Sequence, residues 1–245
     1  MCHLASDETQ YIGTFTGFGL SIKAISISKT YSGAHVQAVK STSIDINEGT
    51  YTRICGPTGS GKTTLLAILA GILSPTEGEV VFDTTRLSES NDKKISRFRE
   101  QHIGYVPQAT LFIPELTVWE NILSPNSFFP MSMKRLKSSA HELVERLGLA
   151  DKIHMRPFEL SGGEIQKMMM TRALVKNPAY IFADEPCSEL DNNSAGVIFK
   201  ILDERKDEGC AVIVASHDLH AIHTDTDIYM MHEGKITDYG KGGTG

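Results

Sequence analysis

The chain has 245 residues, which fits one large α/β domain or one domain with a smaller insertion. Its apolar fraction of 40% is enough for a packed core, and its formal charge of −6 gives no global basic field for nucleic acid. The richest apolar run, residues 65–73, is about half the length a membrane helix needs.

Residues 1–20 are weakly patterned and are expected to form a loose arm. Asp7 and Glu8, followed by a mixed Thr/Gly/Phe stretch, do not make a secretory signal. The expected location is therefore the cytoplasm, with membrane association only through a partner. Ile22, Ile25 and Ile27 mark a first strand, and Ile44 and Ile46 alternate with polar residues in a second. Residues 51–55 form an apolar-rich strand that ends at Gly56. A helix carrying Leu65, Leu66, Ile68 and Leu69 follows a glycine-rich loop, and two more strands are predicted at 79–82 and 103–106. From about 111 to 159 the pattern turns helical, interrupted by Pro125 and Pro130. There Ser132 is placed to cap a long amphipathic helix through Leu136, Leu143, Val144 and Leu147. Strand–helix alternation then returns: a buried strand at 180–183, a helix at 194–205, a buried strand at 211–215, and strands at 228–231 and 235–237. The glycine-rich end of the chain is expected to be flexible. No internal repeat is visible, which implies one unit and not a tandem pair.

The loop Gly56-Pro57-Thr58-Gly59-Ser60-Gly61-Lys62-Thr63, with Thr64 behind it, lies between a strand and a helix, as a phosphate-binding P-loop requires. Glycines let the backbone N–H groups converge on phosphate oxygens, and the helix dipole adds to this. Lys62 is assigned to the β- and γ-phosphates and Thr63 to Mg²⁺. Further on, four apolar residues at 180–183 deliver Asp184 and Glu185 to the carboxyl end of a strand, where open α/β sheets bind ligands. Asp184 is suited to hold Mg²⁺ and Glu185 to polarise an attacking water.

Leu160-Ser161-Gly162-Gly163-Glu164, followed by Gln166, resembles the signature of ABC ATPases, and it stands just ahead of Asp184 as in that family. The resemblance covers residues 21–240. It implies an α/β fold: a P-loop NTPase core with an N-terminal antiparallel β subdomain and a helical subdomain inserted at about 109–175. The arm at 1–20 and a tail at 241–245 flank it. It further implies that Gln108 is the Mg²⁺-sensing glutamine linked to the partner, and that the segment 188–191, ending in Asp191, is the loop at the dimer seam. His217 would contact the γ-phosphate, and Tyr31 would stack on adenine. Ser161, Gly162 and Gly163 would meet the ATP of a second subunit. The implied activity is Mg²⁺-dependent ATP hydrolysis by a homodimer that drives a separate integral membrane permease, without nucleic acid.

Sharing of the ATP sites between subunits also has a geometric motive. A helix over 165–175 separates the signature from the carboxylates by about 16 Å at 1.5 Å per residue. The sequence departs from the family at Ile165 and Lys167, where arginine is frequent, and at Cys187, where threonine is frequent. Cys187 admits two readings, a threonine-sized spacer and a reactive thiol. The four cysteines, Cys2, Cys55, Cys187 and Cys210, form no CxxC pair. Trp119, the only tryptophan, admits core packing and partner docking alike. His217, His220 and His223 recur every three residues, but no cysteine joins them as a metal set.

Several short features resemble the ATPases of lipoprotein-releasing and macrolide-exporter systems: Arg97 and Arg99 ahead of Ile103-Gly104-Tyr105, Pro157 before the signature, the segment 173–178, and Ala183 before Asp184. The alternative is a soluble ATPase of iron–sulphur assembly acting on a cytosolic scaffold, a family that usually lacks a proline where this chain has Pro186.

Overall fold

The computed structural model describes residues 21–33, 36–83, 85–86, 92–127, 132–217 and 226–241. The arm at 1–20, Cys2, Pro130, His220, His223 and the tail after 241 lie outside them. In chain order the strands are β1 (Ser21–Thr30), β2 (Gln37–Asn47), β3 (Tyr51–Cys55), β4 (Glu77–Phe82), β5 (Thr85–Arg86), β6 (Ile103–Val106), β7 (Tyr180–Asp184), β8 (Ala211–Ser216), β9 (Thr226–His232) and β10 (Lys235–Lys241). The helices are α1 (Lys62–Leu69), α2 (Asp92–His102), α3 (Val118–Leu123), α4 (Met133–Arg146), α5 (Gly162–Leu174) and α6 (Asn192–Asp207).

Two sheets carry the fold. β2-β1-β4-β5 is antiparallel throughout, and β10-β9-β3-β8-β7-β6 is parallel except for β10, its antiparallel edge. This is the expected α/β core with an antiparallel subdomain. β7 and β8 are buried along their whole length because both faces are covered. Their side chains alternate between two cores. Ile181, Ala183, Val212 and Val214 pack with residues of α3, α4, α5 and α6 on one face. Tyr180, Phe182, Ala211, Ile213 and Ala215 pack with α1 and the antiparallel sheet on the other. Met168, Met169 and Met170 are buried in the first of these cores, as expected of packing residues.

The first expected strand is present with a bulge, and two local expectations are corrected. Ile22 and Ile27 are buried in β1, but Ile25 is 46% exposed. Ser26 adopts φ +49°, and the pairing of β1 with β2 and β4 slips there. Ile25 faces away from Ile22 by plain alternation, and the bulge beyond it returns Ile27 to the core side. Ser132 occupies the N-cap position of α4 but makes no side-chain cap bond. The apolar stripe of α4 (Leu136, Ala140, Leu143, Val144) holds it against the core instead. Last, β10 runs through Gly240 to Lys241, so regular pairing extends into the glycine-rich end.

No apolar period announces helix α2, because none of its residues is fully buried. Phe98 anchors it, 4.9 Å from the Phe82 ring centroid. Tyr180 ties the two sheets: its hydroxyl donates to both Asp83 carboxylate oxygens at 3.1 and 3.2 Å.

In the helical subdomain, Thr117 and Glu120 cap α3 reciprocally. Trp119 is half-buried against the core, with its ring 4.5 Å from that of His141, which fits the packing alternative. Asn121 is fully buried on α3. Its amide donates to the carbonyls of Ile113, Leu116 and Thr117 and accepts from Ile113 N at 2.8 Å, pinning the segment that follows β6 onto α3. Asn121→Ala strands these groups and is expected to cost about 2 kcal/mol. The check is a lower urea midpoint at unchanged slope; an unchanged midpoint would mean that water replaces the amide.

Candidate active site

The loop between β3 and α1 is shaped by close approach. Gly56, Gly59 and Gly61 take φ of +154°, +81° and +104°. A Cβ on Gly56 would lie 2.1 Å from the Met231 carbonyl oxygen, and one on Gly61 would lie 2.2 Å from that of Ala38. Neither position admits a side chain. Lys62 is nearly buried and turns back over the loop, donating to the carbonyls of Gly56 at 2.8 Å and Pro57 at 3.1 Å. Gly61 is the N-cap of α1, whose first turn carries no acidic residue to offset the dipole. Thr63 is exposed at the same end. Tyr31 is half-exposed and its hydroxyl lies 3.2 Å from Thr64 Oγ1, so the ring stands beside α1.

Parallel pairing sets Asp184 of β7 opposite Ala215 of β8. Both Asp184 oxygens are enclosed without a hydrogen-bond partner. Burial pushes this carboxyl above its ordinary range; the Thr63 hydroxyl opposes this without closing a well-formed bond, the Glu185 charge adds to it, and the Lys62 charge opposes it. The Tyr105 hydroxyl is pushed up to about 12, by burial and then by the Asp184 charge. Glu185 is nearly buried and sits in left-handed backbone at φ +49°, strain of the kind that clusters at functional sites. Its N–H donates to the Ala215 carbonyl at 2.9 Å. Its Oε1 accepts from His217 N and meets His217 Nδ1, both at 2.9 Å. A cation coordinated by oxygen fits the enclosed, unpartnered carboxylate beside Thr63.

The structure thus brings Lys62, Thr63, Asp184, Glu185 and His217 together. It leaves Gln108 exposed beyond β6, with no hydrogen bond to the carboxylates among the described residues. Burial pushes the Cys187 thiol up to about 12, which keeps it protonated and fits the spacer reading.

Ser161 caps α5 in a reciprocal box with Glu164: Ser161 N donates to Glu164 Oε2 at 2.8 Å, and Glu164 N to Ser161 Oγ at 3.3 Å. The separation of signature and carboxylates by the length of α5 does not hold. The chain runs out along α5 and back along β7, and the two rises nearly cancel. Gln166, which carried no assigned role, bridges the ends. Its amide donates to the Glu185 carbonyl at 2.8 Å and accepts from Glu189 N at 3.0 Å. A buried polar residue one turn into a helix was the available signal. A Cβ on Gly163 would lie 3.0 Å from the Glu189 carbonyl oxygen, so glycine here also serves packing. Asp191 caps α6, with Oδ1 accepting Ser194 N at 2.9 Å.

Residues 39–188 match the family described as ABC transporter. The chain is 36% identical over 201 residues to an uncharacterized ABC transporter ATP-binding protein of Thermotoga maritima, covering 82% of this chain and 86% of that protein. It is 35% identical over 217 residues to the lipoprotein-releasing system ATP-binding protein LolD of Bdellovibrio bacteriovorus, covering 87% and 99%. Among solved structures it is similar to the dimeric ATP-binding cassette MJ0796 in a post-hydrolysis state bound to ADP and Pi. There the TM-score is 0.84 at 30% identity, covering 91% of this chain and all of that one.

Proposed function

The chain belongs to the ABC transporter family as an ATP-binding and ATP-hydrolysing subunit, and we propose that it works as a homodimer closed on two ATP molecules, driving a separate membrane permease of the lipoprotein-releasing or macrolide-exporter kind. The similar proteins named above are transporter cassettes, and they give no support to iron–sulphur assembly. No helix among the described residues is long and apolar enough to cross a membrane, so attachment to the cytoplasmic face is assigned to the partner.

One observation carries the site reading. An enclosed carboxylate without partners, Asp184, stands beside Thr63 and Lys62, and its neighbour Glu185 is held by His217. In this reading the amides from Gly56 to Thr64, through Pro57, Thr58, Gly59, Ser60 and Gly61, cradle the phosphates. Lys62 leaves the loop carbonyls for the β- and γ-phosphates. Thr63, Asp184 and Gln108 hold Mg²⁺, which when bound neutralises phosphate charge. Glu185 takes the proton of the attacking water, and His217 both orients it and faces the γ-phosphate. Tyr31 stacks on adenine, with its hydroxyl anchored by Thr64. Ser161, Gly162, Gly163 and Asp191 meet the nucleotide of the opposite subunit.

The partner is assigned to the surface beside Gln108 and residues 116–119. Leu111 and Ile113, exposed at 56% and 42% just after β6, support this. Single cysteines at residues 110–120 are expected to cross-link to a permease purified with the chain. Cross-links confined to the face around Gly240 would sink the assignment.

A further inference from the structure

The phosphate loop rests on a turn that none of the assigned roles uses. β9 and β10 are joined by Glu233 and Gly234, both left-handed at φ +46° and +79°, the pattern of a tight two-residue hairpin turn. The turn's buried glycine faces two ways. Gly234 N donates to the Ser60 carbonyl in the middle of the phosphate loop at 2.9 Å. Its own carbonyl accepts from Lys40 N of β2 at 2.7 Å. The same neighbours press on the loop glycines: the Met231 carbonyl behind Gly56, and the Ala38 carbonyl and Met231 Cε behind Gly61. Three segments distant in sequence therefore meet back to back, and Gly234 is hydrogen-bonded to two of them.

We propose that the β9–β10 turn is a positioning element of the ATP site, in which Gly234 fixes the phosphate loop at Ser60 and fastens it to β2 of the antiparallel sheet. The proposal rests on the loop being the ATP cradle. The loop grips phosphates with backbone amides, so its shape decides affinity, and any carbonyl it presents must be held elsewhere. Gly234 supplies that hold from the side away from the ligand. β1, which ends next to Tyr31, pairs with β2, so the adenine side and the phosphate side of the site are braced by the same sheet. Gly234 touches no reacting atom. It acts through Ser60, and its loss weakens ground state and transition state alike, which raises KM and spares kcat.

The test is Gly234→Ala set against Gly209→Ala. Both replace a left-handed glycine, at φ +79° and +95°, and both should lower the melting temperature. At Gly234 the new Cβ also comes within 3.0 Å of the Gln37 carbonyl oxygen, whereas at Gly209 it meets nothing within 4 Å. KM for ATP is expected to rise about three- to tenfold in Gly234→Ala, the change supported when the new Cβ displaces one backbone hydrogen bond, and to stay parental in Gly209→Ala. Gly234→Asn, which tolerates positive φ, should keep the fold if alanine does not and still raise KM through its Cβ. In the unmodified chain, Mg²⁺ and ADP should slow exchange of the Gly234 amide. A folded Gly234 variant with parental KM, an equal KM shift in Gly209→Ala, or Gly234 exchange indifferent to ADP would each overturn the proposal. A Lys62→Ala control separates the outcomes: if it too binds ATP normally, the loop is not the cradle, and the reading beneath the proposal fails instead.

Discussion

Glu185→Gln keeps ATP binding and loses steady-state hydrolysis by about 10²- to 10⁴-fold, the range a general base contributes. The substitution isolates chemistry from structure. Glu185 occupies left-handed backbone and is nearly buried, so a residue of different length or branching would disturb the end of β7. Glutamine has the same length, and its amide oxygen still accepts from His217 N, the 2.9 Å bond that now fixes Glu185 Oε1. The backbone anchors, Glu185 N to the Ala215 carbonyl and Gln166 to the Glu185 carbonyl, do not involve the side chain at all. What is removed is proton acceptance, together with the carboxylate charge that also acts on Asp184. In the proposed cycle hydrolysis releases the closed dimer, so ATP-bound dimers should accumulate, read by size-exclusion chromatography with ATP. A variant that turns over ATP at the parental rate would take the role of base away from Glu185.

Much of this site was legible in the sequence because its parts are local. Eight consecutive residues of the phosphate loop, a strand ending in two carboxylates, and a Ser-Gly-Gly helix start each carry their physical reason within a few positions. The apolar runs of β7 and β8 announce two buried strands, but the pairing of Glu185 with His217 shows only once those strands lie side by side. What could not be seen depends on returns of the chain. Gln166 meets Glu185 and Glu189 only because β7 runs back along α5, a reversal that counting residues along one helix misses. Gly234 meets Ser60 across a gap of 174 positions, through a hairpin turn whose Glu-Gly pair looks like any surface loop. Ile27 shares a core with Ile22 against strict alternation, because the left-handed Ser26 between them reverses strand facing, and Ser26 carries no sign of it. α2 escaped because it is held by one aromatic residue, Phe98, rather than by a stripe.

The second large effect concerns which subunit completes each site. Helix α5 begins in an exposed Ser161 and Gly162, and its first N–H groups have no intrahelical partners. The capping box takes up one of them, Glu164 N. On the inner side Gly162 and Gly163 are closed off by Glu189 of the same chain, 3.3 and 3.0 Å from their Cβ positions. The open side is left for a ligand brought by another subunit, and the dimeric, nucleotide-bound state of the similar cassette MJ0796 supports this. The ATP held by one subunit's Lys62 would then be capped by the other's Ser161, and dimer closure and ATP occupancy become one event. The experiment uses the Glu185→Gln background, where closed dimers persist. One version of the chain carries Lys62→Ala and the other Ser161→Asp; aspartate preserves the helix cap while placing a negative charge against the phosphate. Each version alone breaks both sites of its own dimer and should remain monomeric with ATP. Mixed, they place both defects in one site and leave the other whole, so ATP-dependent dimers should reappear only in the mixture. If each subunit built its site alone, every subunit in the mixture would be defective, and no dimer would form.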